Sequence, residues 1–138
     1  MNALLRSVWL IPTVAGFLAS AVPCIAAEED LGEHVGSIVV PQGFSSEEVQ
    51  DAIVFAFGVR RWSLKEKTDT HVVGHIKQRS NEAILTLKFN ASKIEMFCEG
   101  WKIDKDTGAR RGTDLPHGWI KNIKEDVDDI LKRRATQG

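Results

Sequence analysis

The chain has 138 residues, with 18 lysines and arginines against 19 acids, a formal net charge of −1 and a hydrophobic fraction of 43%. That balance excludes the strong basic footprint with which proteins hold nucleic-acid phosphates, and the length accommodates one domain with one core. Two cysteines, Cys24 and Cys98, are too few for a disulfide framework.

Residues 1–27 fall into three zones. Arg6 is the only charge, the stretch from Val8 to Val22 is mostly apolar, and the small residues Ala26 and Ala27 precede an abrupt Glu28-Glu29-Asp30 run. This order predicts a secretory signal peptide. The apolar run is interrupted by Pro12 and Gly16, and at about 15 residues it is shorter than the roughly 20 a spanning helix needs. Cys24 raises the alternative of a lipid-anchored N-terminus. However, Pro23 and Ala21 stand where a lipoprotein signal takes a small residue and a leucine, and proline suits an extended peptidase substrate badly. Cleavage after Ala26 or Ala27 is therefore expected, giving a periplasmic or secreted protein that meets a membrane only if Cys24 is lipidated. Cys98 is expected to be buried and inert.

Residues 28–44 read as a flexible N-terminal segment, with room for one short edge strand at Ile38-Val39-Val40 before Pro41 and Gly43. A single domain is expected over 45–134, followed by a tail at 135–138. Ser45 and Glu48 have the spacing of a capping box. Val49, Ala52, Ile53, Ala56 and Phe57 follow a helical period, with Gly58 as the expected stop.

Four alternating runs follow. Trp62 and Leu64 share a face in the first. Val72, Gly74 and Ile76 oppose His71, Val73, His75 and Lys77 in the second. Ala83, Leu85, Leu87 and Phe89 oppose Ile84, Thr86 and Lys88 in the third, and Ile94, Met96 and Cys98 oppose Glu95, Phe97 and Glu99 in the fourth. Such alternation predicts antiparallel strands with one face in the core. Residues 102–116 read as a polar loop. A last helix is expected from about Leu115 to Arg134, with Asp114 as N-cap, Pro116 in the first turn and a stripe of Ile120, Ile123, Val127, Ile130 and Leu131.

The expected fold is α+β: a four-stranded antiparallel meander with an N-terminal and a C-terminal helix packed on one face. That arrangement leaves the other sheet face without a covering layer.

The motifs give little chemistry. His71 and His75 in "HVVGH" are four apart, which on a strand separates them by about 13 Å, too far to share an ion. "DKDTG", Asp104 to Gly108, lacks the alternating acids of a calcium loop and is followed by Arg110 and Arg111. No nucleophile elbow, phosphate loop or dinucleotide fingerprint occurs. No catalytic, cofactor-binding or metal-ligating residue is therefore assigned. Trp62, Trp101 and Trp119 read as core edges rather than ligand platforms.

Trp62, then Trp119, Ile120, Asn122 and Ile123 in "HGWIKNIKEDVDDIL", resemble a group of small exported bacterial proteins, often lipoproteins and of uncharacterised function. The resemblance spans residues 45–131 and implies an exported, non-enzymatic α+β protein. The function expected is a binding or accessory module whose open sheet face, centred on His71, Val73, His75, Ile84, Lys88 and Phe97, contacts a protein or envelope component, or a second copy in a homodimer. The alternatives are a small-molecule or lipid-binding domain with a helix–sheet cavity, and a small hydrolase using His75 or His117.

Overall fold

The computed structural model describes residues 30–137; Cys24 and the expected signal peptide at residues 1–27 lie outside them. The described elements run β1 (Glu33–Val39), α1 (Ser46–Val59), β2 (Ser63–Lys67), β3 (His71–Gln78), β4 (Asn81–Phe89), β5 (Lys93–Ile103), β6 (Arg110–Thr113) and α2 (His117–Gln137). They form one six-stranded sheet in the order β1-β5-β4-β3-β2, with β6 also pairing β5. Every pairing is antiparallel.

The expected meander is β2 to β5. The sheet has six strands rather than four, and the two additions come from stretches with weak alternation. β1 lies in the N-terminal segment and pairs the first half of β5. β6 lies in the expected polar loop, is exposed along its length, and folds back on Trp101 to Ile103. Its cause is the turn before it: Asp104 accepts backbone N–H bonds from Asp106 and Thr107, and Gly108 N–H donates to the Asp104 carbonyl. Asn and Asp side chains close turns in this way.

α1 connects β1 at one edge to β2 at the other, so it must cross the sheet, and it lies against β2, β3 and β4. Its start follows the expected capping box: Glu48 N–H donates to Ser45 Oγ and Ser45 N–H to Glu48 Oε1. Its end does not follow Gly58. The helix runs to Val59, and Arg61 takes the left-handed conformation with φ 63°. Arg61 N–H donates to the Gly58 carbonyl and Trp62 N–H to the Phe57 carbonyl, which is a Schellman closure. Its usual hydrophobic contact is present, with the Phe57 and Trp62 rings 5.5 Å apart.

α1 approaches β3 closely at Gly74, where an added Cβ would lie 2.5 Å from the Phe57 ring. A second close approach is at Gly100, where a Cβ would lie 2.3 Å from the Asp114 carbonyl oxygen. Asp114 N–H donates to the Gly100 carbonyl and its carboxylate accepts from Asn81 Nδ2. Asp114 therefore fastens the β6–α2 connection to the sheet instead of capping α2, and the Pro116 carbonyl accepts the first helical bond, from Ile120.

One buried cluster joins Val49, Ile53 and Phe57 of α1, Ile123, Val127 and Leu131 of α2, and Val72, Leu85, Leu87, Ile94 and Met96 of the sheet. Cys98 is buried with them, and burial pushes its thiol up to about 12, with the Glu99 and Glu33 carboxylates adding to the shift. A thiol in that state is not a nucleophile at neutral pH.

Two stability predictions follow from this packing. Leu87 has no exposed surface, so Leu87→Ala should cost about 2–5 kcal/mol in chemical denaturation, and a value near zero would contradict the strand's facing. Arg61→Gly should raise stability by up to about 1 kcal/mol, because glycine removes the Cβ conflict of the left-handed position. A thermal melt of the variant reads that change.

Candidate functional site

The register arranges the residues of alternate phase to the core into rows across the sheet. His71 pairs Lys88, which pairs Glu95. Val73 pairs Thr86, Thr86 pairs Phe97, and Phe97 pairs His34 of β1. His75 pairs Ile84, which pairs Glu99. Lys77 pairs Glu82, which pairs Trp101. All six residues singled out from the sequence thus fall on adjacent rows of one face. Val73, Ile84 and Phe97 are not three direct cross-strand neighbours. Thr86 separates Val73 from Phe97, and Ile84 sits diagonally on the next row.

Exposure on this face is graded rather than uniformly wet. Lys88 is exposed; His71, His75, Ile84 and Phe97 are half-buried; Val73 and Thr86 retain only 8% and 3% of their surface. The expectation that Val73 and Thr86 stay in water does not hold.

At one end of the face, Glu82 is 8% exposed and has both carboxylate oxygens engaged. Arg110 Nε donates to Oε1 at 2.7 Å, and His75 Nε2 lies 2.7 Å from Oε2. An ionised carboxylate only accepts, so Nε2 carries the proton and donates. The Arg110 hydrogen bond, then that of His75, hold the Glu82 carboxyl down to about 2 against the opposing effect of burial. The Arg110 guanidinium lies 3.6 Å from the Trp101 ring centroid, a stacked cation–π contact. Lys77 Nζ donates to the Gly108 carbonyl at 3.3 Å and holds the β5–β6 turn beside this cluster.

At the other end, the His34 ring meets Phe97 edge-on at 5.2 Å, and Lys88 Nζ lies 6.0 Å from the same ring. His34 and Lys93 both bind Glu95, whose carboxyl is held below its ordinary range by Lys93 first and then His34. His71 faces Glu66, with Nε2 3.3 Å from Oε1, and its Nδ1 lies near the Thr68 and Thr70 hydroxyls. The two histidines of "HVVGH" therefore have separate partners. Among the described residues, no three His, Cys, Asp or Glu side chains converge as metal ligands.

Glu82, Arg110, Trp101 and His34 were not in the expected surface. Glu82 was within reach, since it keeps the phase of Ile84 and Thr86. Arg110 had no signal, because its position depends on a hairpin that polar sequence does not announce. His117 is exposed at the start of α2 and belongs to none of these strand rows. Among the described residues no helix is long and apolar enough to cross a membrane. No family model matches the chain, and neither the curated proteins nor the solved structures contain a significant match to it.

The Glu82 carboxyl titrates near 2 in the folded protein against 4.5 ordinarily. A lowered folded value stabilises above the unfolded value, and that stabilisation is lost as pH falls through the folded value. Wild-type stability should therefore decline between about 4.5 and 2, and Glu82→Gln should flatten that part of the profile. Parallel profiles from chemical denaturation would show that Glu82 does not carry the acid sensitivity.

Proposed function

We propose that the chain is an exported, non-enzymatic binding module, and that the face carrying His71, Val73, His75, Ile84, Lys88 and Phe97 contacts a protein or envelope component. In this reading both helices cover the opposite face, and the mature protein is periplasmic or secreted. The observation that carries it is the register: the half-exposed Ile84 and Phe97 lie diagonally on adjacent rows, backed by the buried Val73 and Thr86, with His71, Lys88 and Glu95 along one side. An apolar centre with a charged margin is the usual make-up of a contact surface. The three-zone leader at residues 1–27 supports export. His75 supports binding over hydrolysis, because its Nε2 proton is already committed to Glu82.

Phe97 is the anchor in this reading, as aromatics commonly are in such contacts. Lys88 and His34 flank its ring without burying it fully. Phe97→Ala should leave folding intact and remove partner capture from an envelope extract, followed by mass spectrometry of captured protein and lipid. A folded variant that captures the same partners as the wild type overturns the reading. An unfolded one shows that Phe97 belongs to the core.

A further inference from the structure

The two edges of the sheet are built differently. β2 is exposed throughout, carries Lys65, Glu66 and Lys67, and is bulged between Leu64 and Glu66. Charges and bulges are the devices that stop a sheet edge from adding strands. β1 is bulged only near its start, between His34 and Gly36. From Gly36 to Val40, "GSIVV", it has no charge, and Val39 is 79% exposed.

Backbone phase shows what that edge offers. Val40 N–H donates to the Ser92 carbonyl at 2.9 Å. Alternate residues of an antiparallel strand turn their N–H and C=O groups to opposite sides. Val40, Ile38 and Gly36 therefore serve the pairing with β5, and Ser37 and Val39 turn theirs outward.

We propose that this outer edge pairs antiparallel with β1 of a second copy of the chain. A two-fold axis at Ile38 sets Ser37 of each copy opposite Val39 of the other. Each pair exchanges two hydrogen bonds, so all four outward groups of each edge are satisfied by symmetry. The surface beside the edge is also self-complementary. A groove of about 530 Å³ separates Ser37–Val39 from α2, and its charged lining is three lysines against two acids. A nearly balanced lining favours neither an acidic nor a basic foreign strand, and it suits an equally mixed copy. Lys132 is held by Asp128 at 2.7 Å and Lys121 loosely by Glu125 at 3.7 Å, while Lys124 pairs with no acid among the described residues. Lys124 lies over β1 at Gly36, placed to meet the acids of the copy's α2.

Sedimentation equilibrium of the expressed chain tests this, with Val39→Pro, Val39→Lys and Phe97→Ala beside the wild type. Proline at 39 removes an outward N–H that β5 does not use, and lysine leaves the backbone intact, so one variant answers if the other fails to fold. The wild type should be a dimer. Both Val39 variants should dissociate at least about tenfold more readily with unchanged circular dichroism. Phe97→Ala should remain dimeric, which separates this edge from the face proposed to bind partners. A wild type that stays monomeric overturns the proposal, as do folded Val39 variants of undiminished affinity. Loss of the dimer in Phe97→Ala overturns it too, by placing the contact on the sheet face.

Discussion

The seating of the Phe57 ring on Gly74 is the contact on which the rest of the arrangement depends. α1 must carry the chain from one sheet edge to the other, and it can do so only if it lies close to the strands between. A Cβ at position 74 would lie 2.5 Å from that ring, so the ring or the helix would have to move away to restore ordinary contact. The same Phe57 then closes the helix: its carbonyl accepts from Trp62 and its ring packs against the indole. One residue thus sets the height of α1 over the sheet and the point at which the chain turns into β2. Gly100 plays the matching part beneath the β6–α2 connection, where backbone rather than side chain makes the approach.

What could be read from residues alone follows the strength of each local signal. The capping box at Ser45, the buried stripe of α1 and the alternation of β3, β4 and β5 stand because hydrophobic period and capping chemistry agree there. β1 and β6 did not carry such agreement. β1 has its apolar residues Val35 and Ile38 interrupted by Gly36 and Ser37, and β6, "RRGT", has no buried face at all. Both owe their existence to β5, which is long enough to pair each along a different part of one side. The Gly58 stop failed for a related reason. Glycine is favoured at a left-handed cap but not required there, and the closure was decided by the Phe57–Trp62 contact, which placed Arg61 in that conformation instead.

The candidate face shows the same division. Period-2 alternation was sufficient to put His71, Val73, His75, Ile84, Lys88 and Phe97 on one side. It was not sufficient to give their order across the sheet, because register between strands is set by turns and long-range packing. Thr86 illustrates the consequence. Read along β4 it is one polar residue of a wet face. Read across the sheet it lies between Val73 and Phe97 and is almost wholly buried.

Glu82 shows how a sheet can bury a charged side chain. Its carboxylate is taken from water by neighbours that replace each solvent bond with a stronger, charge-assisted one. Arg110 supplies one bond from a strand that pairs only β5, and Trp101 fixes the guanidinium from beneath. His75 supplies the other from β3, across the opposite side of β4. The carboxylate therefore joins three strands of the sheet through side chains, in addition to the backbone ladder. Removing either donor leaves an ionised oxygen short of a partner at low exposure, which costs more than the bond itself contributed. That coupling ties the Lys77–Glu82–Trp101 row to β3 and β6 through charged hydrogen bonds. The Phe97 ring, by contrast, is flanked by one exposed lysine and one exposed histidine, neither of which ties it by charged hydrogen bonds in the way the Glu82 carboxylate is tied.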